Sequence, residues 1–257
     1  MTIELFLDQM EAKDTFIIGR KPVMDALNAS KALEKVWIDN TLKGDIEQDV
    51  RRMTRSLKIP LQYVPKQKLN AIVKNANHQG IVAQMPLVDY LSIEDVLPHI
   101  FESGKTPLIL VLDGIEDVRN IGALARSAVW FGVDAILVSI KRTARFNSFA
   151  YKSSAGALKD ITICREISLT KSVQYLKDSG LKVAVADGKG SSQGHDNTFS
   201  EPLALVLGSE EKGVVREIAD LADVFIRIEG TNQVESLNVS VAGAILLHEI
   251  FKIRNVT

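Results

Sequence analysis

Leu108-Ile109-Leu110-Val111-Leu112 runs into Asp113-Gly114-Ile115-Glu116-Asp117-Val118-Arg119-Asn120 and on through Ile121-Gly122-Ala123-Leu124-Ala125-Arg126-Ser127-Ala128. Five consecutive apolar residues with no polar alternation predict a strand buried on both faces, as in a parallel sheet covered by helices. The polar turn behind it leads into a helical pattern from Gly122 to Phe131. The same order recurs downstream. Ala135–Val138, Leu181–Ala186, Leu203–Leu207 and Val224–Ile228 are short and mostly apolar, and helical patterns cover Leu169–Lys177, Val214–Leu221 and Leu237–Ile250. Alternating strand and helix predicts an α/β domain over residues 107–257, with helices on both faces of the sheet.

The front of the chain reads as a smaller α/β unit over residues 1–88. Val36-Trp37-Ile38, Leu61–Val64 and Gly80–Gln84 have strand character. Ile46, Val50, Met53 and Leu57 recur at steps of three and four, one face of a helix that Pro60 ends. Residues 89–106, with Pro98, Gly104 and the acidic Ile93-Glu94-Asp95, are expected to form a linker holding a short helix. The first fifteen residues carry little pattern and are expected to be a loose arm or a marginal helix.

The 257 residues suit one large domain or two modest ones. Hydrophobic residues at 46% and charged residues at 25% exclude a disordered or collagen-like chain. The longest uncharged apolar stretch, Ser236 to Leu247, falls well short of the ~20 residues that span a bilayer. Met-Thr-Ile-Glu at the start lacks a secretory signal pattern, and the single Cys164 suits a reducing, cytoplasmic location. His78, His99, His195 and His248 have no metal-ligand spacing, which argues against a zinc enzyme. Formal charge is −1, yet residues 16–88 carry twelve basic and six acidic side chains, so that segment is +6 and the remainder −7. A basic module on an acidic body suits a polyanion partner, although a solvated helix face around Arg51-Arg52-Met53-Thr54-Arg55 reads equally well.

Ligands of open parallel sheets gather beyond the carboxyl ends of the strands. Three such ends carry polar, glycine-rich turns: 113–122, Gly208-Ser209-Glu210-Glu211-Lys212-Gly213, and 229–240. Asn120 and Ser236 could each simply cap the helix that follows. Arg126, six residues beyond Asn120 among small neighbours, is open to a large ligand. Two decoys are set aside. Gly188–Gly194 has a dinucleotide-loop look, but no helix is expected after it, so it reads as a surface loop; His248-Glu249 lacks a second histidine and reads as helix surface.

At these turns the chain resembles the SpoU (TrmH-like) family of RNA 2′-O-ribose methyltransferases, of the SPOUT class. The motifs that carry the likeness are Asn120, Gly122 and Arg126; then Gly208, Glu210 and Gly213; then Ile228 followed by Ser236-Leu237-Asn238-Val239-Ser240-Val241-Ala242. Gly19-Arg20-Lys21-Pro22-Val23 and His78-Gln79-Gly80 resemble the substrate-binding domain that often precedes the catalytic one, a ribosomal-protein L30e-like fold. Two departures bear on turn geometry: Glu229-Gly230 stands where Pro-Met is usual, and Asp117-Val118-Arg119 where Asp-Pro precedes the asparagine.

The resemblance implies S-adenosylmethionine as methyl donor, S-adenosylhomocysteine as product, a trefoil knot near the carboxyl end, and a homodimer whose sites are completed by the neighbouring subunit. It implies cofactor contacts at Leu207, Gly208, Gly213, Ile228 and Leu237, and catalytic roles for Asn120, Arg126, Glu210, Ser236 and Asn238, with Glu210 pairing with Arg126. A guanidinium stays protonated in proteins, so Arg126 is expected to bind a phosphate and position the hydroxyl rather than act as base. RNA contacts are expected from Arg20, Lys21, Lys141, Arg142 and Arg145. The subgroup it most resembles methylates a guanosine of bacterial 23S ribosomal RNA. Transfer RNA is the nearer alternative substrate, and a non-catalytic RNA-binding or ribosome-assembly protein the alternative class.

Overall fold

The computed structural model describes residues 16–86, 88–140, 143, 146, 148–191, 196–231, 233 and 236–255, so the arm expected over the first fifteen residues lies outside the described residues. Two compact units divide the chain, Met1–Leu87 and Val88–Thr257.

The first unit contains β1 (Phe16–Ile18), α1 (Arg20–Asn28), β2 (Lys35–Asp39), α2 (Asp45–Ser56), β3 (Leu61–Val64), α3 (Lys66–Ile72) and β4 (Ile81–Gln84). The sheet order is β1-β4-β2-β3, with β4 antiparallel to both neighbours and β2 parallel to β3. Val23 and Leu27 of α1 and Val50 of α2 close over Val36, Ile38 and Ile81 on one face. Leu69 and Val73 close over Val64 and Val82 on the other. Neither β1 nor α1 was expected. Pro22 lies in the first turn of α1, where proline is tolerated because its missing N–H has no partner to lose.

The second unit contains β5 (Tyr90–Leu91), α4 (Ile93–Glu102), β6 (Leu108–Asp113), α5 (Val118–Trp130), β7 (Ala135–Ser139), α6 (Ser148–Ser153), β8 (Thr162–Glu166), α7 (Leu169–Asp178), β9 (Lys182–Ser191), α8 (Asp196–Ser200), β10 (Leu203–Gly208), α9 (Arg216–Ala219), β11 (Val224–Ile226) and α10 (Val239–Asn255). Its seven strands are parallel in the order β11-β9-β10-β6-β7-β8-β5. All six residues of β6 are buried, but they divide between two cores. Leu108, Leu110 and Leu112 join Ile121, Leu124 and Leu246, whereas Ile109 and Val111 join Ile93, Leu97, Leu169 and Val173. Helices cover both faces, as the unbroken apolar run requires.

Residues 89–106 hold the short helix expected there, α4, which buries Ile93 and Leu97 under the sheet, and ahead of it β5 pairs with β8, so the segment is more than a linker. Pro98 sits inside α4, whose Ser92 cap accepts from Glu94 N. β8 escaped the sequence reading because Thr162, Arg165 and Glu166 break its apolar run. Arg165 stacks on the Tyr90 ring at 4.6 Å and Glu166 Oε1 accepts from Ile93 N at 2.9 Å, so these polar groups tie down the sheet edge. Finally, Gly188 to Ser191 continue β9 instead of forming a loop, and a short helix, α8, does follow.

Candidate active site

From β6 the chain steps to β7 and β8 in one direction, whereas β9, β10 and β11 lie on the other side of β6. The strand order therefore reverses between β6 and β10, and in such sheets ligands gather beyond the carboxyl ends of the strands at that point. Asn120 follows β6 and Glu210 follows β10. Asn238 follows β11, which lies beyond β9 at the far edge, so the intervening segment must return past the ends of β9 and β10.

Side chains from these three turns meet. Glu210 Oε1 accepts from Asn120 Nδ2 at 3.2 Å, from Asn238 Nδ2 at 2.6 Å and from Val239 N at 3.2 Å. Asn238 Nδ2 also donates to Asn120 Oδ1 at 3.1 Å. The carboxylate thus lies at the N-terminus of α10, where free amides and the helix dipole favour an anion. Asn238 is the N-cap of that helix: its Oδ1 accepts from Ser240 N at 3.0 Å and from Ser240 Oγ at 2.6 Å. The whole Asn238 amide is consequently engaged within the protein.

Helix caps differ from the sequence expectation. Asp117, not Asn120, caps α5 by accepting from Arg119 N at 2.8 Å, and Arg119 Nη2 returns to Asp117 Oδ2 at 2.8 Å. This Arg119 fork holds Asp117 below the ordinary carboxylate range through its side-chain hydrogen bonds first. The departure at Asp117-Val118-Arg119 is therefore a self-contained cap. Ser236 does not cap α10, and it is exposed.

The Glu210 loop depends on a pinch. Ser209 N donates to Gly213 O at 3.2 Å and Gly213 N to Ser209 O at 2.8 Å. Gly213 has φ +64°, and a Cβ on Gly208 would meet Gly213 C at 2.1 Å and Val214 N at 2.3 Å. Below the pinch, Asp113 ends β6 with 1% exposure, and its Oδ2 accepts from Val215 N at 2.8 Å. Sequence reasoning passed over Asp113, although a carboxylate closing a wholly apolar strand was a signal. The motif glycine Gly122 serves packing: a Cβ there would meet Ser153 Oγ at 1.7 Å and Ala150 O at 2.7 Å, so α5 lies close against α6.

The other expected residues are placed as follows. Arg126 is exposed on α5 and makes no hydrogen bond or ion pair among the described residues. Six residues carry it ~9 Å along the helix from Asn120. The expected Glu210–Arg126 pair is not found among the described residues, and three N–H groups converge on Glu210 Oε1. Leu207 is buried at 1% exposure, Ile228 packs half-buried against the core, and Leu237 is 43% exposed. Arg20 and Lys21 open α1 in the first unit, with Arg20 Nε donating to Gln79 O at 3.0 Å. Lys141, Arg142 and Arg145 lie outside the described residues. Among the described residues, no group of three or more His, Cys, Asp or Glu could hold a metal ion, and no helix is long and apolar enough to cross a membrane.

The model of the SpoU rRNA methylase family matches residues 107–248, from just ahead of β6 into α10. The chain belongs to that family. It is an RNA methyltransferase of the SpoU/TrmH type. A second model, described as RNA 2′-O ribose methyltransferase substrate binding, matches residues 16–91. A Bacillus subtilis protein assigned by name to the TrmH family of tRNA/rRNA methyltransferases is 32% identical over 247 residues, 96% of this chain and 98% of its own. A Staphylococcus epidermidis protein of the same description is 30% identical over 243 residues, 95% of this chain and 97% of its own. Among solved structures, the AdoMet-bound rRNA methyltransferase of Sinorhizobium meliloti matches with TM-score 0.59 and 20% identity, covering 99% of this chain and 92% of that one. The A. aeolicus TrmH/SpoU tRNA modifying enzyme matches with TM-score 0.52 and 26% identity, over 63% of this chain and 83% of that one. The SpoU match spans all three turns, so the Asn120–Glu210–Asn238 network lies wholly within the methylase domain.

Proposed function

We propose that this chain moves the methyl group of S-adenosylmethionine onto a ribose 2′-hydroxyl of RNA, at a guanosine of 23S ribosomal RNA, in the cytosol and as a homodimer. The observation that carries the reading is the Asn120–Glu210–Asn238 network beyond β6 and β10, in a chain whose family methylates RNA. The substrate-binding match over 16–91 supports ribose as the acceptor.

An adenosine needs apolar contact and unspent main-chain partners, and the segment after β11 offers both. Leu237 is 43% exposed, and Ile228, Ser236 and Leu237 make no hydrogen bond among the described residues. Leu207 and Gly208, at the end of β10, and Gly213, in the turn after it, are the other cofactor contacts that the resemblance implies. When bound, S-adenosylmethionine supplies a methyl group already activated on a sulfonium and leaves as S-adenosylhomocysteine.

The protein's task is alignment, which supplies up to ~7–11 kcal/mol of barrier lowering in favourable intramolecular models. Asn120, Glu210 and Asn238 hold the turn that carries Ser236 and Leu237. Arg126, always protonated, grips the phosphate beside the target and positions the hydroxyl. Ser236 orients the ribose hydroxyl, whose proton leaves through water to the solvent. Arg20, Lys21, Lys141, Arg142 and Arg145 contact the RNA backbone, and the first unit takes the part of an L30e-like RNA-binding domain. The return of the chain from β11 to Asn238 supports the trefoil knot that the resemblance implies. Trp130, 80% exposed, and Phe251, 40% exposed, lie at the ends of α5 and α10 where Phe131 packs on Phe251 and His248, which supports a second copy on that face.

The deciding experiment is methyl transfer from labelled S-adenosylmethionine to 23S RNA and to bulk transfer RNA, followed by mapping of the nucleotide. A 2′-O-methylguanosine in 23S RNA is expected; label on a base, or on neither RNA, would refute the assignment. Arg126→Lys and Arg126→Ala are expected to lower turnover at least tenfold, and near-normal rates in both would remove Arg126 from the mechanism.

A further inference from the structure

The first unit holds a cavity of about 820 Å³. Arg20, Lys43 and Lys66 bring three cations to its lining, and Asp39, Asn70 and His78 are also among the lining residues. His78 is 3% exposed. Gly80 N donates to its Nδ1 at 2.9 Å, so a ring proton can sit only on Nε2, which lies 2.9 Å from Asn70 Oδ1. Burial, then Lys66, holds the imidazole below its ordinary 6.5, and the neutral Nε2–H tautomer follows. Asn70 must therefore present its oxygen to His78. Its Nδ2 donors make no hydrogen bond among the described residues.

Asp39 is complementary. Its Oδ1 accepts from Thr41 N at 2.9 Å and from Thr41 Oγ1 at 2.8 Å. The Thr41 backbone bond leads the influences that keep it below 3.8 and ionised. Its Oδ2 makes no hydrogen bond among the described residues, although Asp39 is only 6% exposed. The loop on the cavity wall is held in an uncommon shape: Asn75 and Gln79 have φ of 63° and 50°. Such backbone persists only where surrounding contacts enforce it, as the Arg20 Nε bond to Gln79 O does here.

We infer that this cavity receives one unpaired ribonucleotide of the RNA substrate, its phosphate held by Arg20, Lys43 and Lys66 and its base edge read by the Asn70 donors and the Asp39 acceptor of the same lining. The inference rests on the reading of the first unit as RNA-binding, and it adds the place and the form of the RNA. A donor and an acceptor on one lining suit the Watson–Crick edge of a splayed-out base, an edge that a duplex keeps paired. The three cations supply the sequence-independent part of the affinity.

The test uses the full chain and fluorescein-labelled 12-mer oligoribonucleotides: a single strand, its duplex, and the same strand with abasic sites. The single strand is expected to bind more tightly than the duplex. Arg20→Ala and Lys66→Ala are each expected to weaken binding several-fold and to reduce the logarithmic salt slope by ~0.7. Asp39→Asn keeps an acceptor for Thr41 but turns the free oxygen into a donor. It is expected to weaken binding about tenfold with the salt slope unchanged, and to have no effect on the abasic strand. If the wild type binds RNA but these variants match it while Arg52→Ala on α2 weakens binding, the cavity is overturned and the RNA-binding reading survives. If the wild type binds none of the RNAs, both fall. Should Asp39→Asn fail to melt cooperatively, the exposed Arg20 and Lys66 variants decide the matter.

Discussion

Replacing Gly208 by alanine tests the pinch that carries Glu210. The added Cβ would lie 2.1 Å from Gly213 C, against 3.4 Å for ordinary contact, so the two sides of the loop must part by about 1.3 Å. The obstacle is main chain on both sides, and no rotamer change relieves it. A shift of that size breaks the Ser209–Gly213 bonds, now 3.2 and 2.8 Å. At ~1 kcal/mol net for each bond, the cost is ~2 kcal/mol. For the second unit, Val88–Thr257, that corresponds to a fall in Tm of ~4–8 °C. β10 itself should survive, because Leu203–Leu207 remain paired with β6 and β9. The functional loss should exceed the stability loss, since Glu210 leaves Asn120, Asn238 and Val239 behind. Calorimetric titration with S-adenosylmethionine and single-turnover methyl transfer are both expected to drop at least tenfold. Gly213→Ala is the control. It meets nothing within 4 Å but must hold φ +64°, so it should cost ~1–2 kcal/mol and lower cofactor affinity less than Gly208→Ala does. Wild-type cofactor affinity in Gly208→Ala, or greater damage from Gly213→Ala, would refute the reasoning.

Other outcomes follow from single sites. Arg254 donates to Phe199 O at 2.8 Å, Thr106 O at 2.8 Å, Pro107 O at 3.3 Å and Glu201 O at 2.5 Å, so Arg254→Met should cost ~3 kcal/mol in chemical denaturation by stranding these carbonyls; an unchanged midpoint would count against the clamp. Cys164 is wholly buried and burial pushes its thiol up to about 12, so Ellman's reagent at pH 8 should label it only at the rate of unfolding. Burial depresses the His78 pKa, so the unfolded chain binds a proton that the folded one refuses once pH falls below 6.5. The first unit should therefore lose stability as pH drops from 7 to 5. A His78→Gln variant should lose less over the same interval, measured by thermal melts at each pH.

Much of the second unit was legible because burial on both faces leaves a local mark. Leu108–Leu112, Ala135–Val138 and Leu203–Leu207 are apolar without alternation, and each is a strand of the parallel sheet. The turns beyond them were legible for the same reason, since polar and glycine-rich residues stand out after such runs. Elements at the margin left weaker marks. β5 has two residues, β8 is half polar, and α4 contains a proline, so contacts with neighbours rather than local pattern stabilise them. Caps were misjudged by two or three residues, because Asp117 and Asn238 are chosen by where the first helical turn begins.

Residue order alone determined which strands are buried, which turns carry polar groups, and that Asn120, Glu210 and Asn238 follow the ends of those strands. Tertiary structure decided that the three meet, and that Glu210 takes amide donors in place of Arg126. The physical reason is range. Hydrophobic periodicity records each segment's own burial over a few residues, whereas a hydrogen bond between positions 118 apart depends on the strand order that returns the chain from β11 to β6.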